Sequence, residues 1–145
     1  MCSAGPRQEI QIDIIVPNQT RYLSLIGKIG EEIANELGRY SGDRDMLAFH
    51  LNLVLTEAMA NAINHATADD ADKTVRVNIH FEQDELSIKV YDHGQGFDLD
   101  DIPPPDLEHP QEHGRGIFLI RTLMDSVDYQ KTETGNMLVM RKNLN

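Results

Sequence analysis

Hydrophobic and polar residues change their period several times along the chain, and each change marks an element. Ile10 to Val16, IQIDIIV, is β-branched with partial alternation and is stopped by Pro17, which predicts a strand suited to a sheet edge. Asn18 is placed to cap the next helix. Apolar Tyr22, Ile26, Ile29, Ile33 and Leu37 then recur at helical spacing until Gly38, so Tyr22 to Leu37 is expected to be an amphipathic helix. After Ser41-Gly42, Asp43 is a cap for a second helix from about Arg44 through Ala66.

The second half changes to a period of two. Val75, Val77, Ile79 and Phe81 alternate with Arg76, Asn78 and His80, a strand with one buried face and with His80 toward solvent. A tight turn at Gln83-Asp84-Glu85 leads to Leu86, Ile88 and Val90, so the two runs form a β-hairpin ending at Tyr91-Asp92. Residues 98 to 113 carry Pro103-Pro104-Pro105, several acids and no period, the mark of a long loop. Gly116 to Met124 is a third helical run. Asp125 to Gln130 and Met137 to Arg141 are two closing strands joined by a polar turn at Thr132 to Asn136. This order gives an α+β fold, a mostly antiparallel sheet with helices on one face.

Composition narrows the function. At 145 residues and 40% hydrophobic content the chain is expected to form a single domain, residues 1 to 145. A net charge of −11 opposes binding to nucleic acid or anionic lipid and directs attention to protein partners. The lone cysteine, Cys2, excludes an internal disulfide framework and fits a reducing cytoplasmic setting. Neither a signal peptide nor a run near the ~20 apolar residues of a membrane span stands out, so no membrane association is expected.

Three short patterns carry chemistry. Leu51 to Ala66 reads LNLVLTEAMANAINHA, and in a helix Glu57 and Asn61 project from one face beside an apolar stripe of Leu51, Val54, Leu55, Ala58 and Ala62. Asp92-His93-Gly94-Gln95-Gly96-Phe97 follows a strand directly. Its glycines let the backbone approach a flat ligand, and the Asp92 carboxylate can accept from an exocyclic amine. His113-Gly114-Arg115-Gly116-Ile117 opens a helix, where free backbone N–H groups and the helix dipole suit a phosphate. Each pattern alone also has a plain structural reading: a solvated helix edge, a turn, and a loosened helix start.

Together and in this order they resemble the N box and the two glycine boxes of the GHKL ATPase superfamily of gyrase, histidine kinases and MutL. The stretches Glu57-Ala58-Met59-Ala60-Asn61-Ala62-Ile63-Asn64-His65 and Gly114-Arg115-Gly116-Ile117-Phe118-Leu119-Ile120 are most similar to the anti-sigma factor serine/threonine kinases of the RsbW and SpoIIAB type. The resemblance spans nearly the whole chain. It implies the Bergerat ATP-binding fold, a two-layer α/β sandwich, with ATP and Mg²⁺ as cofactors. Glu57 would be the catalytic base, Asn61 the Mg²⁺ ligand and Asp92 the partner of the adenine amine. Asn61, His65, Asp92, Gly94, Gly96, Phe97, Gly114, Arg115, Gly116 and Ile117 would surround the nucleotide, under an ATP lid at about 98–113. A carboxamide oxygen is a suitable hard ligand for Mg²⁺.

The implied function is an anti-sigma factor that sequesters a sigma factor, or another regulatory protein, and phosphorylates an antagonist of the STAS type. The implied assembly is a homodimer that meets through the sheet. One departure stands out: relatives often carry Gly-Thr near the last strand, whereas Gly135 is followed here by Asn136 and Met137. That bears on the adenine pocket and not on the phosphate or metal sites. Two alternatives are a nucleotide-gated binding module without transfer activity, and a histidine kinase catalytic domain. The latter also needs a histidine-bearing helical hairpin, for which only about 50 residues precede Glu57. His109-Pro110-Gln111-Glu112-His113 matches a zinc-protease pattern only formally, since that pattern needs a helix and this stretch follows a proline run. His65 and His93, at a helix end and in a loop, read as structural hydrogen-bonders. P-loop and Rossmann motifs are missing from the sequence.

Overall fold

The structure is a computed structural model. It describes residues 8–38, 40–64, 73–93 and 112–145, the side chains of 112–115 excepted. Strand β1 is Ile10–Pro17, helix α1 is Leu23–Glu36 and helix α2 is Arg44–Asn64; β2 is Thr74–Glu82 and β3 is Glu85–Asp92. Helix α3 is Glu112–Leu123, followed by β4, Ser126–Lys131, and β5, Asn136–Asn143. The sheet runs β1-β2-β3-β5-β4 and every neighbouring pair is antiparallel. β1 lies at an edge, in keeping with Pro17.

The alternating pattern sets which face is covered. Val75, Val77, Ile79 and Phe81 of β2 and Leu86, Ile88 and Val90 of β3 are buried and enter one core with Leu138 and Met140 of β5. The helices supply the other layer: Ile26, Ile33 and Ala34 of α1, Leu47, Leu51, Val54, Leu55, Ala58, Met59 and Ala62 of α2, and Ile117 and Ile120 of α3. The expected two-layer α+β sandwich is therefore the observed one. By length and apolar content α2 could cross a bilayer, although no such run stands out on inspection of the sequence. Its apolar side is instead the middle of this core.

Local chemistry ends the elements close to the expected positions, with some shifts. Asp43 caps α2, its Oδ1 accepting from the Met46 N–H at 3.1 Å and its carbonyl from the Leu47 N–H at 3.0 Å. Arg44 Nη1 donates to the Ala34 carbonyl at 2.7 Å and Lys142 Nζ to the Leu123 carbonyl at 2.7 Å, so a cation closes the carboxyl end of α1 and of α3. Asn18 is not the cap of α1. A single 3-10 turn at Thr20–Tyr22 precedes that helix, with Gln19 at its extended N-cap and no side-chain bond. The hairpin loop is two residues, Gln83 and Asp84, at φ 54° and 62°. Those angles belong to a type I′ turn, which matches the right-handed twist of the strands.

Helices α1 and α2 approach closely through small residues. A Cβ placed on Gly30 would lie 2.9 Å from the Leu51 carbonyl and 2.7 Å from Leu55 Cδ1. Backbone cannot yield as a side-chain tip can. Gly30→Ala is expected to destabilise the fold by about 1–3 kcal/mol, the scale of overpacking. On an exposed helix the same change would stabilise by about 1 kcal/mol. Urea unfolding followed by circular dichroism decides the sign.

Candidate functional site

Helix α2 carries two of the expected groups, and its core face fixes where they point. The helix packs on α1, β2, β3 and α3, which leaves Glu57 and Asn61 half-exposed along the edge beside α3. A Cβ built on Gly116 would lie 2.7 Å from Glu57 Oε2, so the carboxylate rests where any other residue would have its side chain. The sequence predicts that Gly114-Arg115-Gly116 opens a helix with free N–H groups. Helix α3 begins earlier, at Glu112, and takes in the last two residues of the expected lid. Only the first four N–H groups of a helix lack an internal acceptor. Among the described residues these belong to 112–114, so Gly114 keeps the expected amide, Arg115 is the first donor within the helix, and Gly116 provides room for Glu57. Ile117 is 2% exposed, its side chain is in the core and its N–H lies inside the helix, so it supports the site through packing.

Asp92 ends β3 on the core-facing side, in line with Leu86, Ile88 and Val90, and is 7% exposed. Its register partner is Asn136, the first residue of β5, whose Nδ2 donates to Asp92 Oδ1 at 3.0 Å. From β4, the Tyr129 hydroxyl donates to Asp92 Oδ2 at 3.4 Å. Burial, then the Asp92 charge, then the hydrogen bond to it push the Tyr129 hydroxyl well above its ordinary value of 10. The turn before β5 is held against the end of β3. A Cβ on Gly135 would run into the Asp92 carbonyl, the Thr132 N–H donates to the Gly135 carbonyl at 2.8 Å, and His93 Nδ1 donates to the Thr134 carbonyl at 3.2 Å. His93 is thus the structural hydrogen-bonder expected.

The structure therefore brings Glu57 to the start of α3 and surrounds Asp92 with two residues from the closing strands. Sequence reasoning marks Asn136 only as a departure and misses Tyr129. Their signal is the pairing register, because a residue opposite the end of β3 must share its face with Asp92. His65, Gly94, Gly96 and Phe97 lie outside the described residues, as do the Arg115 side chain, His109 and residues 98–111 of the expected lid.

Another polar group lies on the open face of the sheet. His80 Nε2 is 3.1 Å from Glu9 Oε2 and 3.5 Å from Glu82 Oε2, which holds the Glu9 carboxyl below its ordinary value. Beside it a depression of about 290 Å³ is lined by His80, Glu82, Gln83, Glu85 and Ser87. It lies at the hairpin end of β3, the opposite end from Asp92. All three side chains are at least one-third exposed, and their mutual pairing accounts for the arrangement.

Residues 16–142 match the family described as histidine kinase-like ATPase domain. The chain belongs to that family. Within this ATPase family it is 33% identical over 139 residues to the serine-protein kinase RsbW of Halalkalibacterium halodurans, covering 90% of this chain and 82% of the relative. It is 32% identical over 142 residues to the protein of the same name from Bacillus subtilis, covering 92% and 86%. In shape it is similar to the histidine kinase domain of the Erythrobacter litoralis EL346 blue-light activated histidine kinase, with TM-score 0.53 and 20% identity. That match covers 89% of this chain and 62% of the other, and it speaks for the ATPase fold alone.

The Tyr129 environment gives a pH prediction. An acid whose folded value is raised keeps its proton in the native state after the unfolded chain has lost it, so its stabilisation is complete below pH 10 and declines as pH rises beyond that. Tyr129→Phe removes this contribution. In urea titrations above pH 10 the parent is expected to lose stability with pH more steeply than Tyr129→Phe.

Proposed function

We propose that this ATPase-family chain is a protein serine/threonine kinase that binds ATP between the Asp92 end of the sheet and the facing ends of α2 and α3. The observation that carries this reading is the Glu57 carboxylate resting at Gly116, in a chain that matches serine-protein kinases over most of its length. Asp92 accepts a hydrogen bond from the adenine amine. The amide of Gly114, at the positive end of α3, faces the phosphates.

Asn61 suits Mg²⁺ by the chemistry of its donor, a half-exposed carboxamide one helical turn from Glu57. When bound, the ion offsets charge on the phosphate oxygens. Glu57 takes the proton of a serine or threonine hydroxyl as its oxygen bonds to the terminal phosphorus. The bond from that phosphorus to the bridging oxygen breaks and ADP leaves. Because Asn61 and Glu57 are a turn apart on a packed helix, metal holding and proton transfer stay separate yet adjacent.

The acidic surface, net charge −11, suits proteins rather than nucleic acid as partners. We assign a sigma factor as the sequestered partner, a STAS-type antagonist as the phosphorylated one, a homodimer as the working form and the cytoplasm as its place. Purified protein, Mg-ATP and a captured antagonist, scored for phosphoserine or phosphothreonine by mass spectrometry, test the assignment. No transfer to any captured partner would leave a nucleotide-gated binding protein.

Three substitutions separate the roles. Glu57→Gln keeps the shape but cannot take a proton, so Mg-ATP binding stays and phosphorylation falls by about 10²-fold or more; full activity would remove Glu57 as the base. Asn61→Ala is expected to abolish the difference between ATP affinities with and without Mg²⁺ in calorimetry. Gly116→Ala meets only the tip of Glu57, a flexible group that can swing away. This variant is expected to melt near the parent temperature while its phosphorylation rate drops about tenfold or more, the scale on which misplacing a catalytic group is felt.

A further inference from the structure

The Asp92 carboxylate is not left to orient itself. Three adjacent strands each present one polar side chain on the core face at the same end of the sheet: Asp92 from β3, Asn136 from β5 and Tyr129 from β4. Asp92 and Asn136 are 7% and 2% exposed, so water competes little for either. One donor engages Oδ1 and the other Oδ2, at 3.0 and 3.4 Å. A carboxylate engaged at both oxygens cannot turn about its last bond without breaking one of them. A carboxylate carries two lone pairs on each oxygen, and the two donors fix the plane in which they lie.

Gly135 makes the arrangement possible, since a side chain there would collide with the Asp92 carbonyl and push the strand start away. A threonine after Gly135 would offer one rotating hydroxyl. Asn136 offers a planar amide on a longer stem, and its Nδ2 reaches Asp92.

We propose that Asn136 and Tyr129 are positioning residues that lock the plane of Asp92, and that selectivity for the adenine base depends on this lock. The proposal rests on the reading of Asp92 as the partner of the adenine amine. A freely turning carboxylate would spread its acceptor directions over many orientations and gain less from the amine. The lock therefore favours bases with a donor at this position over those without one, and it leaves the phosphate contacts unchanged.

The test compares two probes, ATP and purine riboside triphosphate, which lacks the exocyclic amine. Dissociation constants are measured with Mg²⁺ for the parent, Asp92→Asn, Asn136→Leu, Asn136→Thr and Tyr129→Phe. The preference for ATP is expected to fall about tenfold in Asn136→Leu and about threefold in Tyr129→Phe, the scale of single hydrogen bonds acting through the carboxylate. Binding of the amine-free probe should stay near the parent value. Asn136→Thr, which restores a donor, should recover much of the preference.

If Asp92→Asn loses the preference while Asn136→Leu and Tyr129→Phe keep it, Asn136 and Tyr129 only support the fold and the proposal is overturned. If Asp92→Asn keeps the preference, the adenine reading itself is wrong and the proposal goes with it. Should Asn136→Leu not fold, Tyr129→Phe and Asn136→Thr decide: an unchanged preference in Tyr129→Phe overturns the lock, and a threefold fall supports it.

Discussion

Everything in this fold depends on α2, whose buried face fills the core while its edge carries Glu57 and Asn61. Seven of its side chains, from Leu47 to Ala62, are buried against α1 and the sheet, and this fixes the rotation of the helix about its axis. Once that rotation is fixed, so is the edge of the helix from which Glu57 and Asn61 project. The helix is also anchored at its start by Asp43 and along its length by the close contact with α1 at Gly30. A rigid element can hold a catalytic group more closely than a loop can, because packing has already restricted the rotamers around it.

The elements are legible because their periods are unmixed. Alternation from Val75 to Phe81 could only be a half-buried strand, and its inward residues are the buried ones. The spacing of Ile26 and Ile33 likewise names the inner face of α1, and Leu37, the buried residue just past its end, continues it. Boundaries are less legible. α3 starts at Glu112 rather than at its glycines, because glycine loosens a helix without forbidding it.

The site is legible in part. Asp92, Glu57 and Asn61 stand out since a carboxylate or carboxamide in those local settings has a chemical use. Asn136 and Tyr129 do not, because their meaning comes from strand pairing across about 40 residues, and pairing order is not written in local spacing. The sheet places β5, not β4, beside β3, and only that order sets Asn136 opposite Asp92. Gly116 draws attention in the sequence for its amide and is used for the space it leaves, a role that can be seen only after α2 and α3 are packed.

The Asp92 end of the sheet also departs from what stability alone would select. A strand end facing the core would gain most from an apolar residue, and removing a carboxylate from water costs more than burying a methyl group gains. Two donors offset part of that cost, yet they are themselves polar groups drawn partly out of water, and burial pushes the value at which the Tyr129 hydroxyl ionises well above its ordinary 10. Hydrophobic residues at Asp92, Tyr129 and Asn136 could fill the same volume without any of these costs. A local rule broken by three residues on three strands, with Asp92 bonded to both of the others, sets this end of the sheet apart in a fold otherwise consistent at every level.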